Sequence, residues 1–338
     1  MSCYNPMCGQ GCIDPETGQL VYKIIGKYNP KQKEGSNLPV IPIPCGKCLG
    51  CRLDYARRWA DRLILELDHT GKGIFLTLTY NDEHVPRVYV REEEIDIMCG
   101  QTLDVRDVQL FMKRLRKKFS DREIRFYLVG EYGSTTERPH YHAIIFGLSL
   151  EDFFDCIKIG QNELGQDYYT SGVMSTIWSD NDDKPMGYTL MSEVSYKTCA
   201  YVARYCMKKA FNLPCGYFTL PEFMRNGFKP EFTLMSRRPG IAGYWYEDHP
   251  ECKDLTKFFV SDQNGSVEVN MPNYVLEHLR DTDLDLYYKL VEERKEMAED
   301  SEFMKTYGTE LSWLEYKEME YEDLLARTKV LTDTRISV

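Results

Sequence analysis

The sequence predicts an α+β fold in which helices flank a central antiparallel β-sheet, with a cysteine-rich segment before it and an acidic helical region after it. Segments with two-residue and helical hydrophobic periods alternate between residues 53 and 209, as expected for a mixed domain of this class. Six of the 12 cysteines precede residue 52, and residues 281–324 contain 15 acidic and 5 basic residues. We therefore divide the chain into a cysteine-rich segment (1–52), a central domain (53–260) and an acidic helical region of unknown role (261–338).

The composition excludes several classes of protein. With 43% hydrophobic and 28% charged residues over 338 positions, the chain has ordinary globular usage. Its apolar runs are far shorter than the roughly 20 residues that span a bilayer, and no basic segment followed by an apolar one marks a signal peptide. We therefore expect no membrane partner and a reducing compartment. The net charge of −11 argues against a nucleic-acid partner, but residues 281–324 alone contribute −10 of it.

The first helix and strand of the central domain follow the cysteines directly. Between residues 53 and 69, large apolar side chains recur every four positions from Tyr55 to Leu67, which predicts an amphipathic helix. Glycines then end the helical pattern. The segment GIFLTLTY (73–80) alternates large apolar residues with threonines and predicts a buried strand.

A second helix is predicted over residues 104–119. Asp104 is its candidate N-cap, and its apolar stripe consists of Val108, Phe111, Met112 and Leu115. Further elements are predicted as strands at 124–131, 141–146 and 186–194, short helices at 150–157 and 171–178, and a longer helix at 195–209. This order predicts a four- or five-stranded antiparallel sheet with the helices packed on one face.

The first candidate site residues are His140 and His142. Because side chains alternate along a strand, both imidazoles of PHYHAIIF (139–146) face the same side. Glu131 ends the preceding strand, so a hairpin would bring its carboxylate beside them. Two imidazoles and a carboxylate with open positions suit a divalent cation that polarises an oxyanion. The competing interpretation is one structural and one solvated histidine.

A second candidate group lies on the last helix of the central domain. Tyr201 and Tyr205 are four residues apart and share one helix face, and Lys208 and Lys209 follow on either side of that face. A phenol with a pKa of about 10 is a weak nucleophile and needs a nearby cation or a polarised phosphate. Such a face alone is more often packing than catalysis, but its occurrence together with the histidine pair favours catalysis.

Three cysteines at two-residue gaps indicate a metal site near the N-terminus. They lie in CGKCLGC (45–51), where glycines permit the turns between ligands. A fourth thiolate would come from Cys3, Cys8 or Cys12, and we prefer Cys3. The predicted ligands are Cys3, Cys45, Cys48 and Cys51. We expect a structural Zn²⁺; an iron–sulfur cluster and free thiols are the alternatives.

In combination these motifs give the sequence a resemblance to a known superfamily. It resembles the HUH endonucleases and, within them, the rolling-circle replication initiators of Microviridae phages of the gokushovirus type. The similar segments run in the family's order across roughly two thirds of the chain. They are PCGKCLGC (44–51), FLTLTYND (75–82), GEYG (130–133), RPHYHAIIFG (138–147), YVARYCMKK (201–209) and SRRPGIAG (236–243).

The resemblance implies an HUH endonuclease fold and a metal-dependent, site-specific DNA nickase and strand transferase. The implied ligands of Mg²⁺ or Mn²⁺ are Glu131, His140 and His142. The implied nucleophiles, which would act alternately on single-stranded origin DNA and form a 5′-phosphotyrosyl link, are Tyr201 and Tyr205. The implied phosphate contacts are Lys208 or Lys209. The strand FLTLTY (75–80) receives no catalytic role.

Partners and location follow from the same resemblance. The candidate DNA contacts on the first two helices are Arg52, Arg57, Arg58, Lys113, Arg114 and Lys117, although such clusters are often only solvated helix faces. Because a Walker A pattern is absent, we expect a host helicase and a host polymerase as partners in the host bacterial cytoplasm. The alternatives are a transposase or relaxase with the same chemistry, and a non-catalytic, zinc-stabilised DNA-binding regulator that would not need paired tyrosines.

Overall fold

The computed structural model of the protein describes residues 3–16, 18, 20–29, 37–92, 95–133, 136–162, 165–208, 227–262 and 265–333. Its strands are β1 (Met7–Ile13), β2 (Leu20–Lys27), β3 (Val40–Ile43), β4 (Gly73–Thr79), β5 (Arg87–Glu92), β6 (Ile95–Gln101), β7 (Arg125–Tyr132), β8 (Pro139–Phe146), β9 (Ile157–Gln161), β10 (Asp167–Thr170), β11 (Thr189–Glu193), β12 (Phe232–Met235), β13 (Lys257–Asp262) and β14 (Gly265–Asn270). Its helices are α1 (Leu49–Thr70), α2 (Val105–Lys118), α3 (Gly172–Ile177), α4 (Tyr196–Lys208), α5 (Gly243–Asp248), α6 (Asn273–Thr282), α7 (Leu284–Thr306) and α8 (Trp313–Asp333).

The chain forms two compact units. One unit consists of Met1–Tyr55 together with Leu279–Val338, and the other of Ala56–His278. None of the helices within the described ranges is long and apolar enough to cross a membrane.

The unit Ala56–His278 is built on a seven-stranded antiparallel sheet in the order β12-β7-β8-β4-β11-β10-β9. The predicted strands β4, β7, β8 and β11 form its centre, so a mixed fold with a large antiparallel sheet is confirmed. The expected size of four or five strands is wrong, because β12 extends one edge and the β9–β10 hairpin the other. All five side chains of β9 are exposed, and an edge strand of this kind lacks the alternating pattern by which strands are recognised. The helix expected at 150–157 is likewise a short 3₁₀ turn, Leu150–Asp152, that leads into β9.

Helices cover both faces of this sheet, not one face as the sequence predicts. Leu76, Leu78 and Tyr141 project from one face into a core with α2 and α3. Phe75 and Ile144, which alternate with them along β4 and β8, project from the other face into a core with α1 and α4. The sequence periods identify each helix but carry no information about which face of the sheet it covers.

The helix α2 matches its prediction closely. Its N-cap is Asp104, whose carboxylate accepts a hydrogen bond from the Arg106 amide at 2.6 Å. The buried residues of α2 are Val108, Phe111, Met112 and Leu115, the stripe identified by the helical period. The boundary and the buried face of α2 are therefore both encoded locally.

The unit Met1–Tyr55 with Leu279–Val338 combines a small sheet, ordered β2-β1-β3, with the C-terminal helices. Trp313 at the start of α8 packs edge-on against Tyr28, with ring centroids 5.7 Å apart. Tyr321, two turns later, lies 5.0 Å from Tyr4. The buried ammonium of Lys317 lies over Trp313 and Tyr4, which stabilises the cation in a site shielded from water. The acidic C-terminal region thus contributes core residues to this unit.

Candidate functional site

The predicted hairpin of β7 and β8 forms and positions the candidate metal ligands. The two strands pair antiparallel with Glu131 directly opposite His140 and Val129 opposite His142. Directly opposed residues project from the same face of a sheet, so the carboxylate and both imidazoles lie on the face covered by α1 and α4.

The three side chains converge on one point. His140 Nε2 lies 2.7 Å and His142 Nε2 3.2 Å from the same oxygen, Oε1 of Glu131. One ligand atom of each residue lies within 4.8 Å of the other two. Glu131 and His142 are buried, whereas 19% of the His140 side chain is exposed. The trio is therefore reached from solvent on the His140 side.

Two outer contacts aim the imidazoles. His142 Nδ1 lies 2.9 Å from Thr77 Oγ1 in the buried strand β4, and His140 Nδ1 lies 3.0 Å from the Arg138 carbonyl oxygen. Because a carbonyl can only accept a hydrogen bond, His140 Nδ1 must carry a proton. In the neutral ring, Nε2 then directs a lone pair at the Glu131 carboxylate, and two acceptors at this distance need a cation between them.

The electrostatics of Glu131 fit such a cation. Burial raises the pKa of Glu131, but hydrogen bonding and charge interactions with His140 and His142 outweigh it and set the pKa at about 2. The carboxylate is therefore ionised at neutral pH. A carboxylate oxygen and two imidazole nitrogens held by outer hydrogen bonds form a donor set that fits a divalent metal with further positions open to substrate.

Sequence reasoning missed Thr77. It lies in the strand FLTLTY, to which we assigned no catalytic role, and the register of β4 and β8 places it directly opposite His142. A threonine in a buried strand is ordinary by composition. Only the pairing of two strands 65 residues apart brings its hydroxyl to the imidazole.

The helix α4 brings Tyr201 to the same place. The Tyr201 ring is half-buried, and its centroid lies 5.6 Å from that of His142 in an edge-on arrangement. Phe75 stacks on the other side of the His142 ring at 5.6 Å and also meets the Tyr201 ring at 6.0 Å. The backbone of α4 includes Tyr205 and Lys208, whose side chains lie outside the described part of the structure, as does the whole of Lys209.

A second group of candidate metal ligands forms in the unit that contains the N-terminus. Cys3, Cys45, Cys48 and Cys51 lie with their sulfur atoms within 4.8 Å of one another. Backbone amides of Lys47 and Cys48 approach Cys45 Sγ at 3.4 and 3.3 Å, so Cys45 receives two hydrogen bonds.

The titration of these thiols is consistent with a site built for a cation. Burial raises the pKa of Cys3 and of Cys51. For Cys45 the same burial effect is outweighed by the backbone hydrogen bonds, and its pKa falls to about 7. Thiolates are the metal-binding form of cysteine, and four of them match a closed tetrahedral site. The preferred fourth ligand, Cys3, is the upstream cysteine that joins the group.

The candidate DNA contacts are distributed over different surfaces. Lys113, Arg114 and Lys117 lie on α2, on the face of the sheet opposite the trio of Glu131, His140 and His142. Arg114 donates hydrogen bonds to the carbonyl oxygens of Ser179 at 2.6 Å and Asp180 at 3.0 Å, so its guanidinium fastens a loop. Lys113 and Lys117 are exposed.

The other three candidate DNA contacts lie on α1. Arg57 and Arg58 are exposed and Arg52 is half-buried. One nitrogen of Arg57 lies 3.8 Å from Glu268, an ion pair that is weak at such an exposed position. The fold therefore assigns the basic residues of α1, and not those of α2, to the face that carries the trio.

Comparisons with known proteins agree with this geometry. A model of the "Replication-associated protein ORF2" family matches residues 73–210, which contain the trio and Tyr201. The chain is 29% identical over 296 residues to "Replication-associated protein ORF2" of Spiroplasma virus 4, covering 86% of this chain and 84% of that protein. It is 33% identical over 211 residues to "Replication-associated protein VP4" of Bdellovibrio phage phiMH2K, covering 59% and 58%.

A third relative extends the same pattern, although the shared part is shorter. "Replication-associated protein ORF4" of Chlamydia phage 1 is 28% identical over 177 residues, which cover 50% of this chain and 38% of that protein. No solved structure matches the fold. The family match and the three phage relatives, taken with the conjunction of motifs in the sequence, identify the chain as a member of the replication-associated protein family of Microviridae phages.

Proposed function

We propose that the protein is an HUH endonuclease that initiates rolling-circle replication by nicking single-stranded origin DNA and later rejoining the strand. The observation that carries this proposal is the position of Tyr201, whose ring lies 5.6 Å from the ring of His142 in the trio. A binding module without catalysis would need neither a converging ligand set nor a tyrosine beside it. This juxtaposition therefore favours the nuclease over a zinc-stabilised regulator.

Glu131, His140 and His142 are the residues that would hold Mg²⁺ or Mn²⁺. Such an ion would act as a Lewis acid on the non-bridging oxygens of the scissile phosphate. The protein orients the ligands through Thr77 and the Arg138 carbonyl. The partial exposure of His140 leaves a side of the site through which a phosphate could approach.

The nucleophile proposed for the first cut is Tyr201 or Tyr205. The phenolic oxygen attacks the phosphorus, the bond from phosphorus to the 3′ oxygen breaks, and that oxygen takes up the proton that the phenol loses. The products are a 5′-phosphotyrosyl link and a free 3′-OH that can prime synthesis. The second tyrosine would cut the regenerated origin, and the released 3′-OH would then attack the first link and restore a free phenol and a closed strand.

The remaining roles belong to the same proposal. Lys208 or Lys209 would contact phosphate, and a structural Zn²⁺ on Cys3, Cys45, Cys48 and Cys51 would stabilise the unit around the N-terminus. The single-stranded DNA partner would require strand separation by a host helicase and extension by a host polymerase. The reaction would take place in the cytoplasm of the infected bacterium.

The test uses the full chain, Mn²⁺ and single-stranded oligonucleotides that tile the genome encoding it. A 3′-labelled oligonucleotide containing the cut site should give an adduct that survives SDS, whereas the same oligonucleotide labelled at its 5′ end should give a free fragment that a polymerase can extend. Both products should disappear in Tyr201→Phe/Tyr205→Phe and in His140→Ala. Tyr196→Phe, which alters a tyrosine earlier on α4, is the matched control and should retain them.

Two outcomes would contradict the proposal. An adduct that persists in the double tyrosine variant would exclude these nucleophiles. Label retained from the 5′ end would mean that the opposite bond breaks, and the strand-transfer scheme above would be wrong.

A further inference from the structure

Tyr188 is an unusually exposed aromatic residue on a firmly held backbone. Its side chain is 82% exposed, immediately before β11. The Thr79 amide donates to the Tyr188 carbonyl at 3.0 Å, and the Thr79 hydroxyl lies 3.2 Å from both the amide nitrogen and the carbonyl oxygen of Tyr188. The backbone is thus fixed to the end of β4 while the ring projects into solvent.

The neighbouring Gly187 makes this close attachment feasible. A Cβ atom at this position would overlap the carbonyl of Thr79 and the backbone of Tyr80, so only glycine allows the two segments to approach this closely. The Met186 carbonyl also accepts a hydrogen bond from the Asn81 amide at 2.7 Å. An ordered backbone on both sides of Tyr188 distinguishes it from an aromatic side chain on a loose loop.

The sheet register places Tyr188 in the same row as the candidate metal ligands. Glu131 is opposite His140, and His140 is opposite Thr79. On the far side of β4, the pairing of Thr189 with Leu78 continues so that Tyr188 lies beside Thr79. Tyr188 is therefore two strands from His140, roughly 10 Å at the usual strand spacing.

The alternation of side chains also places Tyr188 on the face of the trio. Leu190 of β11 is opposite Thr77, whose hydroxyl contacts His142. Residues two apart along a strand share a face, so Tyr188 falls on the same side as Leu190 and Thr77. A large exposed ring thus stands beside the opening of the site.

We propose that Tyr188 stacks on an unpaired base of the single-stranded DNA substrate, adjacent to the nucleotide whose phosphate is cut. This inference rests on the proposed function and adds a residue that positions the strand. Stacking on aromatic rings is the usual means of holding unpaired bases, because every base presents a π-face. Asp182 and Asp183 are exposed on the turn that leads to Tyr188, so the contact there is with a base and not with a phosphate.

The first experiment measures equilibrium binding of the full chain to the single-stranded oligonucleotide that it cuts. Tyr188→Ala should weaken binding by about 5- to 150-fold, the range typical of losing one stacked base. Tyr188→Phe and Tyr188→Trp should bind like the wild type, since each retains a ring. Phe154→Ala is the matched control, because Phe154 is 89% exposed and follows the end of β8 that is remote from His140.

The second experiment identifies the contact by removing single bases from the oligonucleotide. One abasic position near the cut should weaken binding by the wild type and have no further effect on Tyr188→Ala. The loss caused by Tyr188→Ala should also be the same at about 50 and about 200 mM salt, because stacking releases no counterions. A loss that shrinks as salt rises would instead indicate a phosphate contact and overturn the proposal.

The failure of this inference is distinguishable from the failure of the proposed function. Absence of a covalent adduct with the wild type would reject the nuclease. Normal adduct formation by the wild type, together with unchanged affinity and unchanged abasic sensitivity in Tyr188→Ala, would reject the stacking role alone.

Discussion

The hydroxyl of Thr77 provides a stringent test of the candidate metal centre, since it acts on the metal only through His142. Thr77→Val keeps the β-branched shape in a buried strand and removes the one atom that lies 2.9 Å from His142 Nδ1. Without this contact the imidazole can rotate, and its Nε2 is no longer held toward Glu131 Oε1. Loss of an outer partner of this kind typically costs about 10- to 100-fold in metal affinity or activity.

The assay follows adduct formation as a function of Mn²⁺ concentration, together with direct calorimetric titration of Mn²⁺. We expect Thr77→Val to need about 10- to 100-fold more Mn²⁺ for half-maximal rate, and Thr77→Ser to behave like the wild type because it keeps the hydroxyl. Thr189→Val is the control. Thr189 is also buried, in the next strand of the sheet, but projects from the opposite face.

The effect on stability has to be separated from the effect on metal binding. Leaving a buried group without its hydrogen bond costs about 1–3 kcal/mol, so both valine variants can unfold at a somewhat lower temperature. An unchanged Mn²⁺ requirement in a folded Thr77→Val protein would refute the role of this hydroxyl. An equal shift in Thr189→Val would show that the loss is general and unrelated to His142.

Three further predictions concern the same side chains. Because the pKa of Glu131 is about 2 against an ordinary value of 4.5, the ionised carboxylate stabilises the metal-free protein above pH 4.5, and this contribution is lost as the pH falls towards 2; the difference in melting temperature between the wild type and Glu131→Gln should shrink over that interval, whereas the exposed control Glu151→Gln should show no such trend, and a constant difference would contradict the assignment. Protein purified without chelators should contain one Zn²⁺ per chain by elemental analysis, and Cys3→Ser should lose it while Cys12→Ser keeps it, since only Cys3 lies in the cysteine group; zinc retained in Cys3→Ser would exclude that ligand. Arg114→Ala should lower the free energy of unfolding by about 1–3 kcal/mol in urea titrations, because two carbonyl oxygens lose their donor, while Lys113→Ala should leave it unchanged; weaker DNA binding at full stability in Arg114→Ala would instead favour a DNA contact.

Local patterns predicted the parts of the site that depend on neighbouring residues. The turn between β7 and β8 and the alternation along both strands are sufficient to place Glu131 opposite His140. The helical period of α4 places Tyr201 on a buried face, but its contact with His142 depends on how the helix packs against the sheet. The contact of Thr77 with His142 depends on pairing between distant strands, which no local period encodes.

Long-range packing explains what the sequence could not predict elsewhere in the fold. The contact between Trp313 and Tyr28 joins the two ends of the chain in one unit, whereas composition alone suggests an independent acidic region. The hairpins β5–β6 and β13–β14 also escaped prediction. In the first of them Tyr89, Ile95 and Met98 are all exposed, so its pattern does not separate a buried face from a solvated one.

The distribution of charge gives the last constraint on how this protein can hold DNA. The unit Ala56–His278, which contains the trio and Tyr201, has 27 basic and 33 acidic residues, a balance of −6. A surface of this charge does not attract a polyanion as a whole, and non-specific affinity through counterion release would be small. Binding must then depend on individually placed groups: a cation held by Glu131, His140 and His142, a few arginines of α1 on the same face, and stacking on Tyr188. Such contacts act over short distances and require a particular path of the strand, so the acidic balance favours selection of one site over adhesion to any single strand.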